Sequence, residues 1–154
     1  MIILQKLYGH YARILHWCTD QAMTAALEKM ELTAAQGRIL GYLAHCKEPP
    51  CPSDVEEVFQ LTHPTVSGLL SRLEQKGFVE LRSDAEDKRR KRIHILPKGW
   101  QCHERIHQTI VDHDEQMLGD FSPQERELFQ QLLRRAIQNM GHSPCHPNSK
   151  EEQP

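Results

Sequence analysis

The sequence predicts a mainly α chain with a small β-wing, a winged helix-turn-helix carried between long N- and C-terminal dimerisation helices. Three observations predict it. Between residues 33 and 77 three short amphipathic stretches follow one another, and about two residues separate the last two. Two strand-like runs then enclose the charged segment Arg82 to Arg92, the pattern of a hairpin with a polar tip. Both ends of the chain carry apolar stripes of helical period, longer than one small domain can bury.

The first stripe passes through Leu4, Leu7, Tyr11, Ile14 or Leu15, Cys18, Ala22, Ala25 or Ala26 and Met30, and predicts one amphipathic helix over residues 1–30. At roughly 1.5 Å per residue it would extend some 40 Å, which points to a second subunit. Thr33 with Gln36 is a capping box and opens a second helix through Ile39, Leu40 and Leu43 to about Cys46. Glu48-Pro49-Pro50-Cys51-Pro52 breaks it. Ser53 with Glu56 repeats the capping pattern and starts a short helix on Val55, Val58 and Phe59. Thr62 caps a fourth, with Pro64 in its first turn, Val66, Leu69, Leu70 and Leu73 as its apolar face and Lys76-Gly77 as its stop.

Strands are expected at Phe78-Val79-Glu80-Leu81 and Ile93-His94-Ile95-Leu96. Pro97-Lys98-Gly99 leads into a fifth helix with Trp100, His103, Ile106 or His107, Ile110 and Met117 on one stripe. Ser122-Pro123-Gln124-Glu125 is a third capping box, and Leu128, Phe129, Leu132, Leu133, Ile137 and Met140 give the sixth helix its apolar face. The chain therefore divides into an N-terminal dimerisation helix (1–32), a winged-helix head (33–98), C-terminal dimerisation helices (99–141) and a tail (142–154) whose Pro, Ser and Glu content predicts disorder.

At 154 residues the chain has room for one domain with appended helices and excludes two enzyme-sized lobes. Its net charge of -2 announces no polyanion partner, but the distribution does. From Thr62 to Lys98 nine Lys and Arg face five Asp and Glu, a local +4 that leaves -6 for the rest. Such polarisation presents one basic face to nucleic acid and keeps the remainder repelled by it. Five cysteines without a C-x-x-C spacing, and no charged and apolar leader, predict a reducing cytoplasm and no disulfide framework. No apolar run approaches the ~18 residues of a membrane span.

The head makes chemical sense as a reader of duplex DNA. An α-helix fits the major groove, where base edges carry a distinguishing pattern of donors and acceptors. On the fourth helix His63, Thr65, Ser67, Gly68, Ser71 and Arg72 lie opposite the apolar face, with Lys76 at its end. Short hydroxyls and Gly68 permit close approach, and Arg72 is the one long bidentate donor. Lys88, Arg89, Arg90, Lys91 and Arg92 form a run that packing does not explain; at a hairpin tip some would enter the minor groove while others meet phosphates.

The order of elements, with Leu73-Glu74-Gln75-Lys76-Gly77-Phe78-Val79-Glu80 and Asp84-Ala85-Glu86-Asp87-Lys88-Arg89 through Ile93-His94-Ile95-Leu96 to Gly99, resembles the MarR family of winged-helix transcription regulators over residues 1–140. Leu96-Pro97 stands where the family usually shows Leu-Thr. The resemblance implies a homodimer built on interleaved terminal helices, bound to a palindromic operator in double-stranded DNA and acting as an effector-responsive repressor. It also implies that Arg89 is the groove-inserting residue and that Asp87 steadies the base of the wing.

For the effector, three chemistries stay open. A small apolar or aromatic acid ligand would lie near Tyr11, Trp17, Arg38 or Trp100. A metal would use His103 and His107, four apart and therefore stacked on one helix face. That pair resembles, in register, the pair of the family's zinc-responsive branch, which also implies Asp20 as a ligand and places a histidine where this chain has Arg38. Oxidation would use a cysteine, yet Cys18 lies on an apolar stripe, and the family's peroxide-sensing position corresponds to Tyr8 here. No cofactor is required by any of these readings beyond a possible zinc or small organic effector.

Two other function classes are weighed. An enzyme would need a nucleophile with its base, a phosphate loop or a cofactor fingerprint, and the sequence shows none. A winged helix serving only as a protein-interaction module would have no use for the basic run at Lys88 to Arg92.

Overall fold

The structure, a computed structural model, describes residues 7–142. Six helices and a hairpin follow in the expected order: α1 Tyr8–Lys29, α2 Ala34–His45, α3 Pro52–Phe59, α4 His63–Gln75, β1 Val79–Ser83, β2 Lys91–Ile95, α5 Pro97–Leu118 and α6 Pro123–Asn139. Expectations for residues 1–6 and for the tail beyond His142 lie outside the described residues. The chain is organised as two compact units, one up to His113 and one from Asp114 onward.

The first unit contains the winged helix. Thr33 opens α2 as expected: its hydroxyl accepts from the Gln36 N–H at 3.3 Å, and the buried Gln36 side chain accepts from the Thr33 N–H at 3.0 Å. The start of α3 differs from expectation. Ser53 does not cap it; Pro52 takes the first helical position, and the Asp54 carboxylate accepts from the Cys51 N–H at 2.7 Å. Proline fits there because its fixed φ is already helical and its missing N–H would have had no partner. Helix α3 ends on Gln60, held at φ +52°, with the Leu61 N–H bonded back to the Glu56 carbonyl. Gly77, at φ +75°, stops α4 and lets the Phe78 N–H return to the Leu73 carbonyl at 2.9 Å.

A single core joins these elements. Ile39, Leu40 and Leu43 of α2, Val55 of α3 and Val66, Leu70 and Leu73 of α4 pack with Val79 and Ile93 of the two strands. Each is below 5% exposed, so the head buries a continuous apolar interior of its own. The strands pair antiparallel with Val79 opposite Ile95, Leu81 opposite Ile93 and Ser83 opposite Lys91. They begin and end closer to the tip than the apolar runs suggest, because Arg82, Ser83, Lys91 and Arg92 continue the ladder. Gly99 lies in the first turn of α5, where a Cβ would stand 2.2 Å from the Phe78 carbonyl oxygen. Glycine is thus what allows α5 to start directly over the strand.

In the second unit Ser122 caps α6 with Glu125, as the sequence indicates, and Pro123 occupies the first turn. Arg126 pairs with Glu115 at 2.9 Å, and Phe121 meets Phe129 edge to face. Helix α6 buries none of its residues, although Leu128, Leu132, Leu133 and Ile137 form its apolar stripe.

Candidate nucleic-acid interface

Helix α4 turns its apolar side inward and leaves His63, Thr65, Ser67, Gly68, Ser71 and Arg72 exposed together. This division follows from periodicity: Val66, Leu70 and Leu73 are spaced three and four apart and take the buried side. The Thr62 and Thr65 hydroxyls bond each other at 2.9 Å, so Thr62 fastens the first turn through a side chain and not through a backbone N–H. His63 is tied sideways to α3, its Nδ1 2.6 Å from the Glu56 carboxylate. Among the described residues the side chains of Ser67, Ser71 and Arg72 make no hydrogen bond within the chain, and a Cβ on Gly68 would meet nothing within 4 Å. The face is open, polar and free of obstruction.

The wing is built around Asp84. Its Oδ1 accepts from the Glu86 N–H at 2.8 Å and the Asp87 N–H at 3.3 Å, and its Oδ2 takes the Arg92 guanidinium at 2.5 Å. These bonds to the charged form hold its carboxyl well below the usual carboxylate range, at about 2, the Arg92 contact first among them. Asp87, expected to steady the wing base, sits in the tip, where its carboxylate accepts from the Arg89 N–H at 3.0 Å and so shapes the backbone under Arg89. The role at the base is filled by Asp84.

The five consecutive bases consequently differ. Lys88, Arg89, Arg90 and Lys91 are exposed, and their side chains make no ion pair among the described residues. Arg92 is drawn inward, bonded to Asp84 and, through Nη1, to the Pro49 carbonyl at 3.1 Å. Next to it the Ile93 N–H donates to the Pro50 carbonyl at 2.8 Å. The Pro49-Pro50 segment therefore does more than end α2: it runs along β2 and fastens the wing to the lead-in of α3. Lys76, expected on the DNA side, also serves the fold. Its ammonium donates to the Glu31 carbonyl in the turn after α1, while Lys98 donates to the Lys76 carbonyl at 2.7 Å and lies over the Phe78 ring.

The MarR family model matches residues 30–90, the head from the turn after α1 to the tip of the wing. A Bacillus subtilis helix-turn-helix regulator, YwoH, is 29% identical over 112 residues, covering 73% of this chain and 80% of that protein. The Escherichia coli transcriptional regulator HosA is 35% identical over 76 residues, 49% of this chain and 56% of HosA. The Staphylococcus aureus MepR–DNA complex superposes with a TM-score of 0.74 at 29% identity, covering 86% of this chain and 99% of MepR. In fold, and in sequence over the head, this chain is similar to the MarR family of transcription regulators. Its fold is the family's winged helix, and the Leu96-Pro97 departure proves harmless, since Pro97 is the first residue of α5.

Beyond the head, the residues expected to serve in sensing are dispersed. Tyr11 and Trp17 project from α1 and are about 60% exposed. Trp17 lines a shallow groove with His10, Arg13 and Ile14. Arg38 lies over the Phe59 ring, 6.0 Å from its centre, and Trp100 meets His103 edge to face. Among the described residues no three His, Cys, Asp or Glu side chains are gathered to hold a metal, and Asp20 stands exposed on α1. The neighbour that reaches His103 is one the sequence did not single out, His45 of α2, with ring centres 5.5 Å apart. His103 Nδ1 is buried without a hydrogen-bond partner, and burial, with His45 and His107 nearby, lowers its pKa. Cys18 is half-buried on α1. Among the described residues no helix is long and apolar enough to cross a membrane.

Proposed function

We propose that this protein is a DNA-binding repressor that acts as a homodimer on a palindromic operator, with α4 in the major groove and the wing tip in the adjacent minor groove. The observation that carries the reading is the pairing of two exposed surfaces in one rigid head: the unobstructed polar face of α4 and four solvent-facing bases on the wing. MepR, a relative of the same fold, is known in complex with DNA. One head spans a half-site of a few base pairs, so useful specificity requires two, set about one helical turn apart. The exposed stripe of Leu128, Leu132, Leu133 and Ile137 on α6 supplies the surface that a second copy covers.

Magnitudes follow from the free charges. The four exposed wing bases give about four phosphate neutralisations per protomer, so the logarithm of operator affinity should fall with the logarithm of salt at a slope of roughly -3 to -4 per protomer. Selection of duplexes from a random pool, followed by binding titrations at several salt concentrations, tests the reading. Arg89→Ala should weaken operator and random duplex alike and flatten the slope by about one per protomer, because wing contacts are largely blind to sequence. Arg72→Ala should lose ~1–3 kcal/mol on the operator and little on random DNA. Equal losses for both variants on both DNAs would remove the division between helix and wing. Leu132→Asp should give monomers in sedimentation, and a variant that stays dimeric at micromolar concentration would free α6 from the interface.

A further inference from the structure

The Glu56–His63 pair has no role in the core and none in the wing. His63 opens α4 and its side chain is 75% exposed, whereas the Glu56 side chain is 26% exposed on α3. Nδ1 of the imidazole lies 2.6 Å from Glu56 Oε1. An ionised carboxylate only accepts hydrogen bonds, so Nδ1 must carry the proton and donate. This fixes what the ring offers outward. Its Nε2, the nitrogen that Glu56 does not engage, is a bare acceptor in the neutral ring and an N–H donor in the imidazolium, and the side chain that carries it is 75% exposed. The surroundings add little charge. Helix α4 carries no other titratable side chain before Arg72, and α3 brings Glu56 to the ring, with Glu57 next to it in sequence. The α2 side chains packed toward α4 are the apolar Ile39, Leu40 and Leu43.

We infer that Glu56 is a positioning residue that aims His63 Nε2 at the DNA, and that His63 binds an acceptor atom of the duplex as the imidazolium, so that DNA binding takes up a proton. This rests on the DNA-binding reading above. Phosphate oxygen and the N7/O6 edge of guanine present the same chemistry, an acceptor with negative potential, and both favour the charged ring. Histidine is the side chain whose charge changes between pH 5 and 8, so the coupling falls within the range of ordinary binding buffers. Aspartate or asparagine at the start of α4 would not supply such a term.

Operator and random-duplex affinities measured between pH 6 and pH 8.5 at fixed ionic strength test the inference, with His63→Ala, Glu56→Gln and Glu56→Ala alongside wild type. Wild type should bind about tenfold more tightly at the acid end, roughly threefold for each of the two heads. His63→Ala should remove that gain, leaving a profile that is flat over the same pH range. Glu56→Gln keeps an oxygen able to accept from Nδ1 but not the charge, and should move the rise to lower pH; Glu56→Ala should lose it. If random duplex shows the same proton uptake, the acceptor is phosphate; if only operator does, and 7-deazaguanine abolishes it, the acceptor is a guanine edge. A His63→Ala profile parallel to wild type, or a Glu56→Gln profile superposed on it, overturns the inference and leaves DNA binding intact. Failure of wild type to bind any duplex overturns both. The variants' melting temperatures check folding, and the His63 side chain is 75% exposed.

Discussion

Gly68 offers a perturbation in which stability and function should move in opposite directions. It sits in the middle of α4, on the exposed face, and a Cβ built there meets nothing within 4 Å. Gly68→Ala is therefore free of steric cost within the protein. A glycine inside a helix is less favourable than alanine by ~0.8–1 kcal/mol, so the variant should gain about that much stability. For a chain of this length, roughly 1 kcal/mol corresponds to a rise of about 2–4 °C in Tm. If α4 lies in the major groove, the new methyl occupies the space where base edges or the sugar-phosphate wall approach the backbone. Forcing a methyl into a close-packed contact costs about 1–3 kcal/mol, which is roughly five- to 150-fold in affinity for each half-site. Thermal melts and operator titrations on the same preparations read both effects. A variant that melts higher and binds operator as wild type does would show that this face of α4 is not the contact face. A variant that melts lower would refute the open environment described for Gly68.

Three other outcomes follow from single features. Gly99→Ala places a Cβ 2.2 Å from the Phe78 carbonyl oxygen and 2.6 Å from Ile95 Cγ2, and should destabilise the head by more than about 2 kcal/mol in urea unfolding; an unchanged midpoint would contradict that contact. Gln60→Gly relieves a left-handed φ of +52° at the end of α3 and should stabilise by about 1 kcal/mol, less the bond from the Gln60 amide to the Glu57 carbonyl; a lower Tm would refute strain there. The Asp84 carboxyl, held down from 3.8 to about 2, contributes to wing order that is fully present above pH 4 and lost as pH falls through about 2, visible in amide exchange of residues 84–92. At neutral pH Asp84→Ala should weaken DNA binding even though it deletes an acid from a basic surface; tighter binding would show that charge, and not the wing lock, dominates.

What was legible in the sequence was local. The capping boxes Thr33–Gln36 and Ser122–Glu125, the Gly77 stop and the three-and-four spacing of Val66, Leu70 and Leu73 each declare themselves within a turn or two of helix, and each is found in place. What was missed is set by pairing across distance. Lys88 to Arg92 reads as five DNA-facing bases, in the groove or on phosphates, until strand register places Arg92 opposite Arg82 and within reach of Asp84, eight residues earlier. The Pro49 and Pro50 carbonyls that hold β2 are backbone groups, and no side-chain pattern announces them. Ser53 mimics an N-cap, but Pro52 before it is itself acceptable to a helix at its first position, so the start moves to Cys51. His45 and His103 are 58 residues apart, and only the packing of α5 against α2 brings their rings together.

These long-range ties also bear on how DNA affinity is controlled. The wing is fastened through Arg92 and Ile93 to the Pro49-Pro50 segment, that segment leads into α3, and α3 packs against α4 through the buried Val55. Lys76 and Lys98 close the other end, linking the stop of α4 to the turn after α1 and to the first turn of α5. Helix α4 and the wing are thus joined by hydrogen bonds and core on both sides. A packed body of this kind has few intermediate states, so a change in affinity is more readily made by moving whole heads than by bending one. In a dimer whose two α4 helices must match half-sites about one helical turn apart, a displacement of a few ångströms between heads is enough to lose register. An effector would therefore act where it distinguishes two separations of the heads, through contacts that differ between them, and leave the groove-facing residues themselves unchanged.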